Sequence, residues 1–212
     1  MSSASVEDDV PQLSAETFAA LQEFYKEQEE RDKECNAGIV NKSAIFEEDW
    51  QLSQFWYDDH TIEVLIDVAI KVVGFNGKIA LVSCPTLYRP LREKSTNCEI
   101  TLFEYDRRFA AYGEDFIFYD YKSPLGIQRD KADYYDLVIA DPPFLSEECL
   151  TKTAVTVRYL TKNKIILCTG AVMADLANRL LDLKKCSFEP KHKNNLGNAF
   201  CCYSNFDMDS FL

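Results

Sequence analysis

The chain has 212 residues, 47% of them hydrophobic and 13% aromatic, and a formal net charge of -12. These values exclude a disordered chain, suit one well-buried domain rather than two, and leave no apolar run near the roughly 18 residues a membrane span needs. The excess of acid disfavours stable nucleic-acid binding, which relies on Lys and Arg displacing counterions, and suits a basic protein partner.

The opening M-S-S-A-S-V-E-D-D has neither the basic nor the apolar part of a secretory signal, so a cytoplasmic protein is expected. The eight cysteines form no C-x-x-C pair and read as reduced core residues, with no metal site expected. A monomer is expected.

Residues 1–12 are acidic and small and predict a disordered tail. Residues 13–57 predict an N-terminal helical extension packed on the core. Ser14 can cap a helix with Phe18, Leu21, Phe24 and Tyr25 at helical spacing, running to about Lys33, and a loop follows from Cys35 to Glu48. The segment W-Q-L-S-Q-F-W-Y, Trp50 to Tyr57, holds both tryptophans of the chain. Two readings stay open for it. The rings dock the N-terminal segment on the core, or Trp50, Gln54, Phe55 and Trp56 wall a pocket as substrate or lid residues.

Residues 58–212 predict the main domain. Asp58 or Asp59 caps a helix carrying Ile62, Leu65, Ile66, Ala69, Val72 and Val73 on one face, closed by Gly74. Strands and helices then alternate: strand 78–83, helix 87–94, strands 100–106, 116–121 and 137–140, helix 147–160, strand 164–169 and helix 172–183. Two late β segments, 186–190 and 200–205, are joined by a polar link. The pattern predicts an α/β, Rossmann-like, seven-stranded and mostly parallel sheet, with helices on both faces and an antiparallel C-terminal hairpin edge. His60 and His192 read as surface residues, and Lys184, Lys185, Lys191, His192 and Lys193 as a solvated basic edge.

Polar residues concentrate where the strands end. The first strand ends in Ser83-Cys84-Pro85, the second in Glu104-Tyr105-Asp106, the third in Asp120 and the fourth in Asp141-Pro142-Pro143-Phe144. Two consecutive prolines cannot continue a central strand, so the chain leaves the sheet in a stiff turn, at the edge where open α/β sheets bind ligands. Carboxylates at successive strand ends suit ribose hydroxyls and an exocyclic amine. No G-x-G-x-x-G follows the first strand and no P-loop occurs, so a phosphate cradle is missing. Acids and aromatics without that cradle favour S-adenosylmethionine, whose sulfonium they stabilise, over NAD or ATP.

D-P-P-F resembles the [DN]-P-P-[FYW] motif of class I methyltransferases that modify amino nitrogens. W-Q-L-S-Q-F-W-Y, F-E-Y-D-R-R-F, F-I-F-Y-D-Y, I-A-D-P-P-F-L-S-E-E-C and I-L-C-T-G-A together resemble the protein-lysine methyltransferases of translation elongation factor 1-alpha, a family formerly labelled N6-adenine-specific DNA methyltransferases. The resemblance spans about residues 11–207. It implies transfer of methyl from S-adenosylmethionine to a lysine of that factor. Asp141, Pro142, Pro143 and Phe144 are the implied catalytic turn, and Ser83, Pro85, Glu104, Asp106, Asp120 and Asp141 the implied cofactor residues. Glu104 would hold the ribose, with Asp106 as second candidate, and Asp120 would meet the adenine amine. S-C-P-T-L-Y departs from the glycine-rich loop of the wider class and leaves the cofactor carboxylate without an obvious backbone partner. An N6-adenine nucleic-acid methyltransferase and a non-catalytic scaffold are the alternatives.

Overall fold

The computed structural model describes residues 46–194 and 197–212. The expected acidic tail, the Ser14 helix and most of the Cys35–Glu48 loop lie outside the described residues. The strands are β1 (Lys78–Val82), β2 (Glu99–Glu104), β3 (Phe116–Phe118), β4 (Leu137–Ala140), β5 (Lys164–Gly170), β6 (Lys184–Lys185) and β7 (Phe200–Ser204). They form one sheet in the order β3-β2-β1-β4-β5-β7-β6. The first five run parallel, and β7 pairs antiparallel with both β5 and β6. The helices are α1 (Asp59–Val73), α2 (Tyr88–Lys94), α3 (Glu147–Leu160) and α4 (Ala174–Leu181).

The apolar runs of β1 and β4 lack alternation because helices cover both faces. Ile79, Leu81, Leu137 and Ile139 pack into one core with residues of α1 and α2, including Leu65, Ala69 and Leu91. Ala80, Val82, Val138 and Ala140 turn to the other, against Leu150, Val157 and Leu160 of α3 and Ala177 and Leu181 of α4. Each fully buried Leu or Ile contributes about 1.5–3 kcal/mol. Asp58 caps α1 by accepting from the Thr61 amide at 2.8 Å, and Gly74 ends it at φ 68. Ser146 does the same for α3, accepting from the Cys149 amide at 3.2 Å.

The turn from α1 into β1 leaves no room for a side chain at Gly77. A Cβ there would stand 2.3 Å from Val73 Cβ and 3.1 Å from Val73 O. Gly77→Ala is expected to destabilise the fold by about 1–3 kcal/mol, read as a lower urea midpoint at unchanged slope. A midpoint equal to that of the parent chain would mean the turn relaxes freely.

Several element bounds need correction. β3 stops at Phe118, three residues short of Tyr121. The 172–183 helix begins as a 3-10 turn, Ala171–Met173, and is α-helical only over α4. The late hairpin is not 186–190 against 200–205: β6 is the exposed pair Lys184–Lys185, and the ladder is left after Cys186. The Ser187 amide is taken by both Asp209 oxygens at 3.0 Å, and Pro190 has no N–H to give.

The 191–194 segment instead returns to the aromatic segment. The Asp58 amide donates to Lys191 O at 2.9 Å and the Lys193 amide to Trp56 O at 2.8 Å, with Tyr57 and His192 bridged antiparallel between them. Strand-like alternation therefore turns Lys191 and Lys193 outward and buries His192, which is 8% exposed and not a surface residue. Among the described residues no helix is long and apolar enough to cross a membrane.

Candidate active site

The strand order reverses between β1 and β4, and a cavity of about 580 Å³ opens at their carboxyl ends. That is the place and size of a small-molecule site in an open α/β sheet. The ends of β1, β2 and β4 supply Ser83, Pro85, Glu104, Asp141, Pro142, Pro143 and Phe144 to its lining, Asp120 comes from beyond β3, and Gln54, Phe55 and Trp56 come from the aromatic segment.

Asp141 is positioned by its own backbone. Its amide extends the ladder to Val82 O at 3.0 Å, after which Pro142 and Pro143 turn the chain away. Burial pushes the Asp141 carboxyl up to about 8, with the Tyr57 hydroxyl opposing the rise and Glu104 adding to it. That hydroxyl is buried and has no hydrogen-bond partner. Phe144 is 45% exposed at the mouth, with its ring edge-on to Tyr121 at 5.8 Å.

Glu104 closes β2. Its Oε1 accepts from the Tyr105 and Asp106 amides at 2.9 and 3.1 Å, and its Oε2 accepts nothing from the described residues. Burial raises it to about 7. A buried carboxylate oxygen left open toward a cavity fits hydroxyl donors such as those of a ribose. Asp120 is half-buried and caps its own turn, its Oδ1 accepting from the Lys122 amide at 2.9 Å.

The structure does not bring Asp106 into the cavity. Its Oδ1 accepts from the Arg108 amide at 2.9 Å, and its Oδ2 from Gln54 Nε2 at 2.9 Å and Arg108 Nε at 2.8 Å. Both oxygens are used in capping a 3-10 turn and in tying Gln54 to the end of β2.

The aromatic segment both docks on the core and walls the cavity. Tyr57 is 1% exposed, and Glu48 anchors the Trp56 amide at 2.7 Å and Asn194 Nδ2 at 2.6 Å. Trp50 does neither: it is 66% exposed on a 3-10 turn and does not line the cavity.

Where the wider class carries a glycine-rich loop, Ser83 adopts the left-handed conformation itself, at φ 56, with its amide donating to Phe103 O at 2.9 Å. The turn that glycine makes cheaply is thus present, at about 1–2 kcal/mol of strain. Ser83→Val is expected to lower stability by about 1–3 kcal/mol, whereas Ser83→Gly stays within about 1 kcal/mol of the parent in thermal unfolding. Equal losses in both would mean the side chain, not the backbone, matters there.

Tyr121 and His192 line the cavity and are residues that pattern reading passed over. His192 had a signal as the middle of Lys-His-Lys.

The sheet order and the acid-edged cavity are those of a Rossmann-like methyltransferase. A family model described as a probable N6-adenine methyltransferase matches residues 48–208. EEF1A lysine methyltransferase 1 of Homo sapiens is 53% identical over 208 residues, covering 95% of this chain and 94% of that protein. Protein-lysine N-methyltransferase EFM5 of Saccharomyces cerevisiae is 36% identical over 231 residues, covering 94% of this chain and 93% of that protein. A branched-chain polyamine synthase from Thermus thermophilus shares the fold, with a TM-score of 0.58 at 10% identity, over 78% of this chain and 60% of that one. The chain belongs to the family of these methyltransferases, enzymes that draw the methyl group from S-adenosylmethionine.

Proposed function

We propose that the chain methylates the side-chain nitrogen of a lysine in translation elongation factor 1-alpha, acting in the cytoplasm as a monomer without stable nucleic-acid binding. The observation that carries the chemistry is Asp141: a carboxyl of raised proton affinity, lining the cavity, followed at once by Pro142, Pro143 and Phe144. The choice of substrate is supported by the names of relatives about half identical over nearly the whole chain.

When bound, S-adenosylmethionine supplies a methyl group on a sulfonium, an electrophile that needs no phosphate cradle. Glu104 holds the ribose hydroxyls through Oε2, Asp120 the adenine amine, and the Ser83–Pro85 turn lines the end left for the amino-acid part. Lys122 is the single lysine or arginine among the described lining residues, so a positive sulfonium meets little repulsion.

The target nitrogen must present a lone pair within about 3–3.5 Å of the carbon it attacks. Asp141 and the Pro142 carbonyl accept its N–H groups and set its direction, while Phe144 confines the aliphatic stem. Lysine arrives as an ammonium with an ordinary pKa of about 10.4. Against an ordinary aspartate the proton mismatch is about 6.5 units; against Asp141 near 8 it falls to about 2.5. The proton still favours the amine, so Asp141 eases its departure to water rather than holding it outright as the amine turns nucleophilic.

A second reading is favoured by the description of the family model, a probable N6-adenine methyltransferase, since the same turn would grip a flipped-out adenine. The net charge of -12 opposes it. The test is to incubate purified chain and radiolabelled S-adenosylmethionine with elongation factor 1-alpha or with cellular nucleic acid. Label on the factor that protease releases and nuclease does not is the expected result. Label confined to nucleic acid would overturn the lysine reading, and no label in either would favour a scaffold.

A further inference from the structure

Residues 51–56 wall the cavity without belonging to the sheet, so their place depends on what fastens them. One end is held at Trp56, whose amide donates to Glu48 and whose carbonyl accepts from the Lys193 amide. The middle is held through Gln54. Its side chain is buried and engaged at both polar atoms: Nε2 donates to Asp106 Oδ2 at 2.9 Å, and Oε1 accepts from the Asp49 amide at 3.2 Å and from Arg108 Nη2 at 3.3 Å. Asp106 is buried as well, and Arg108 donates to the same Oδ2 through Nε at 2.8 Å while its Nη2 reaches Glu47 O at 3.3 Å. One buried, ion-paired carboxylate thus joins the end of β2 to the segment from Glu47 to Gln54.

What this fastening presents is Phe55. Its ring lines the cavity and is 39% exposed, much as Phe144 is, whereas Glu104 lines the same cavity and is buried. Half-exposed lining rings mark the mouth, where an incoming protein segment passes. Phe144 is set there by two prolines, but Phe55 lies on a stretch that is neither helix nor strand and depends on its neighbour's buried amide.

We propose that Asp106 is a positioning residue for the protein substrate: through Gln54 it fixes Phe55 as a wall of the mouth by which the lysine-bearing segment enters. The inference rests on the reading of this cavity as the site of lysine methylation.

Asp106→Asn changes little in volume, yet whichever way the new amide lies, its NH₂ faces donors, either the Arg108 amide or Gln54 Nε2 with Arg108 Nε. With cofactor saturating, KM for elongation factor 1-alpha is expected to rise about tenfold or more, while kcat and the dissociation constant of S-adenosylmethionine stay within about threefold. Gln54→Glu sets one carboxylate against another and is expected to do the same. In the double variant, Asp106→Asn with Gln54→Glu, amide and carboxylate change places and donor meets acceptor again, so KM should return to within about threefold of the parent. KM unmoved in both single variants would overturn the proposal, whatever happens to kcat, because a loss of folded molecules lowers kcat alone. A double variant as poor as the worse single would overturn it too. So would a cofactor dissociation constant raised about tenfold in Asp106→Asn, which would put that carboxylate on the ribose. A parent chain that leaves the factor unlabelled would instead defeat the reading on which the inference rests.

Discussion

Replacing Asp141 by alanine is expected to lower kcat for methyl transfer by at least about 10³-fold while leaving cofactor affinity within a few-fold. The loss combines the orientation of the nitrogen with the removal of its proton, effects that each reach 10² or more. Cofactor affinity is spared because Glu104 and Asp120, on other strand ends, remain. Stability should move the opposite way from activity. The folded-state pKa of Asp141 is raised, so its favourable contribution is present below about pH 4 and is lost as the pH rises through about 8. At pH 8 the parent chain therefore carries a partly buried, partly ionised carboxyl that the variant lacks, and thermal unfolding of Asp141→Ala should lie no lower than that of the parent. Kinetics, calorimetry with S-adenosylmethionine and a melting curve at pH 8 check the three parts; a large loss of cofactor binding would show that Asp141 belongs to the cofactor rather than the amine.

Glu104→Gln carries the second large effect, on the cofactor. The substitution keeps an oxygen for the Tyr105 and Asp106 amides and puts an NH₂ where Oε2 stood open. Two charge-assisted bonds to ribose hydroxyls are worth about 1.5–3 kcal/mol each, so the dissociation constant should rise by about 10²-fold or more. The effect on kcat at saturating cofactor should be far smaller. Equal affinity in titrations of the two proteins would remove Glu104 from the ribose role and leave its burial unexplained.

The sheet and its D-P-P-F turn were legible because burial on both faces writes an uninterrupted apolar run, Leu137–Ala140, and two prolines mark where it must stop. The place of Glu104 at the end of β2, on the cavity wall, was legible for the same reason. Asp106 shows the limit of that logic: two residues on, its carboxyl type is the same, but the 3-10 turn redirects it toward Arg108 and Gln54, and turn direction has no signature in residue type. β6 escaped because Lys184–Lys185 pairs through its backbone alone and exposes both side chains, leaving no hydrophobic period to read. His192 escaped because its burial depends on Tyr57, far away in the chain. The left-handed turn at Ser83 escaped because serine does not announce a positive φ as glycine does.

The central claim is that Asp141-Pro142-Pro143-Phe144 grips a lysine nitrogen. Complete acid hydrolysis of elongation factor 1-alpha labelled by the purified chain, followed by separation of the amino acids, tests it most directly. Radioactivity recovered as N-methylated lysine, and absent when Asp141→Ala replaces the parent chain, is the predicted result. Radioactivity recovered in another amino acid, or undiminished lysine labelling by the variant, would contradict it.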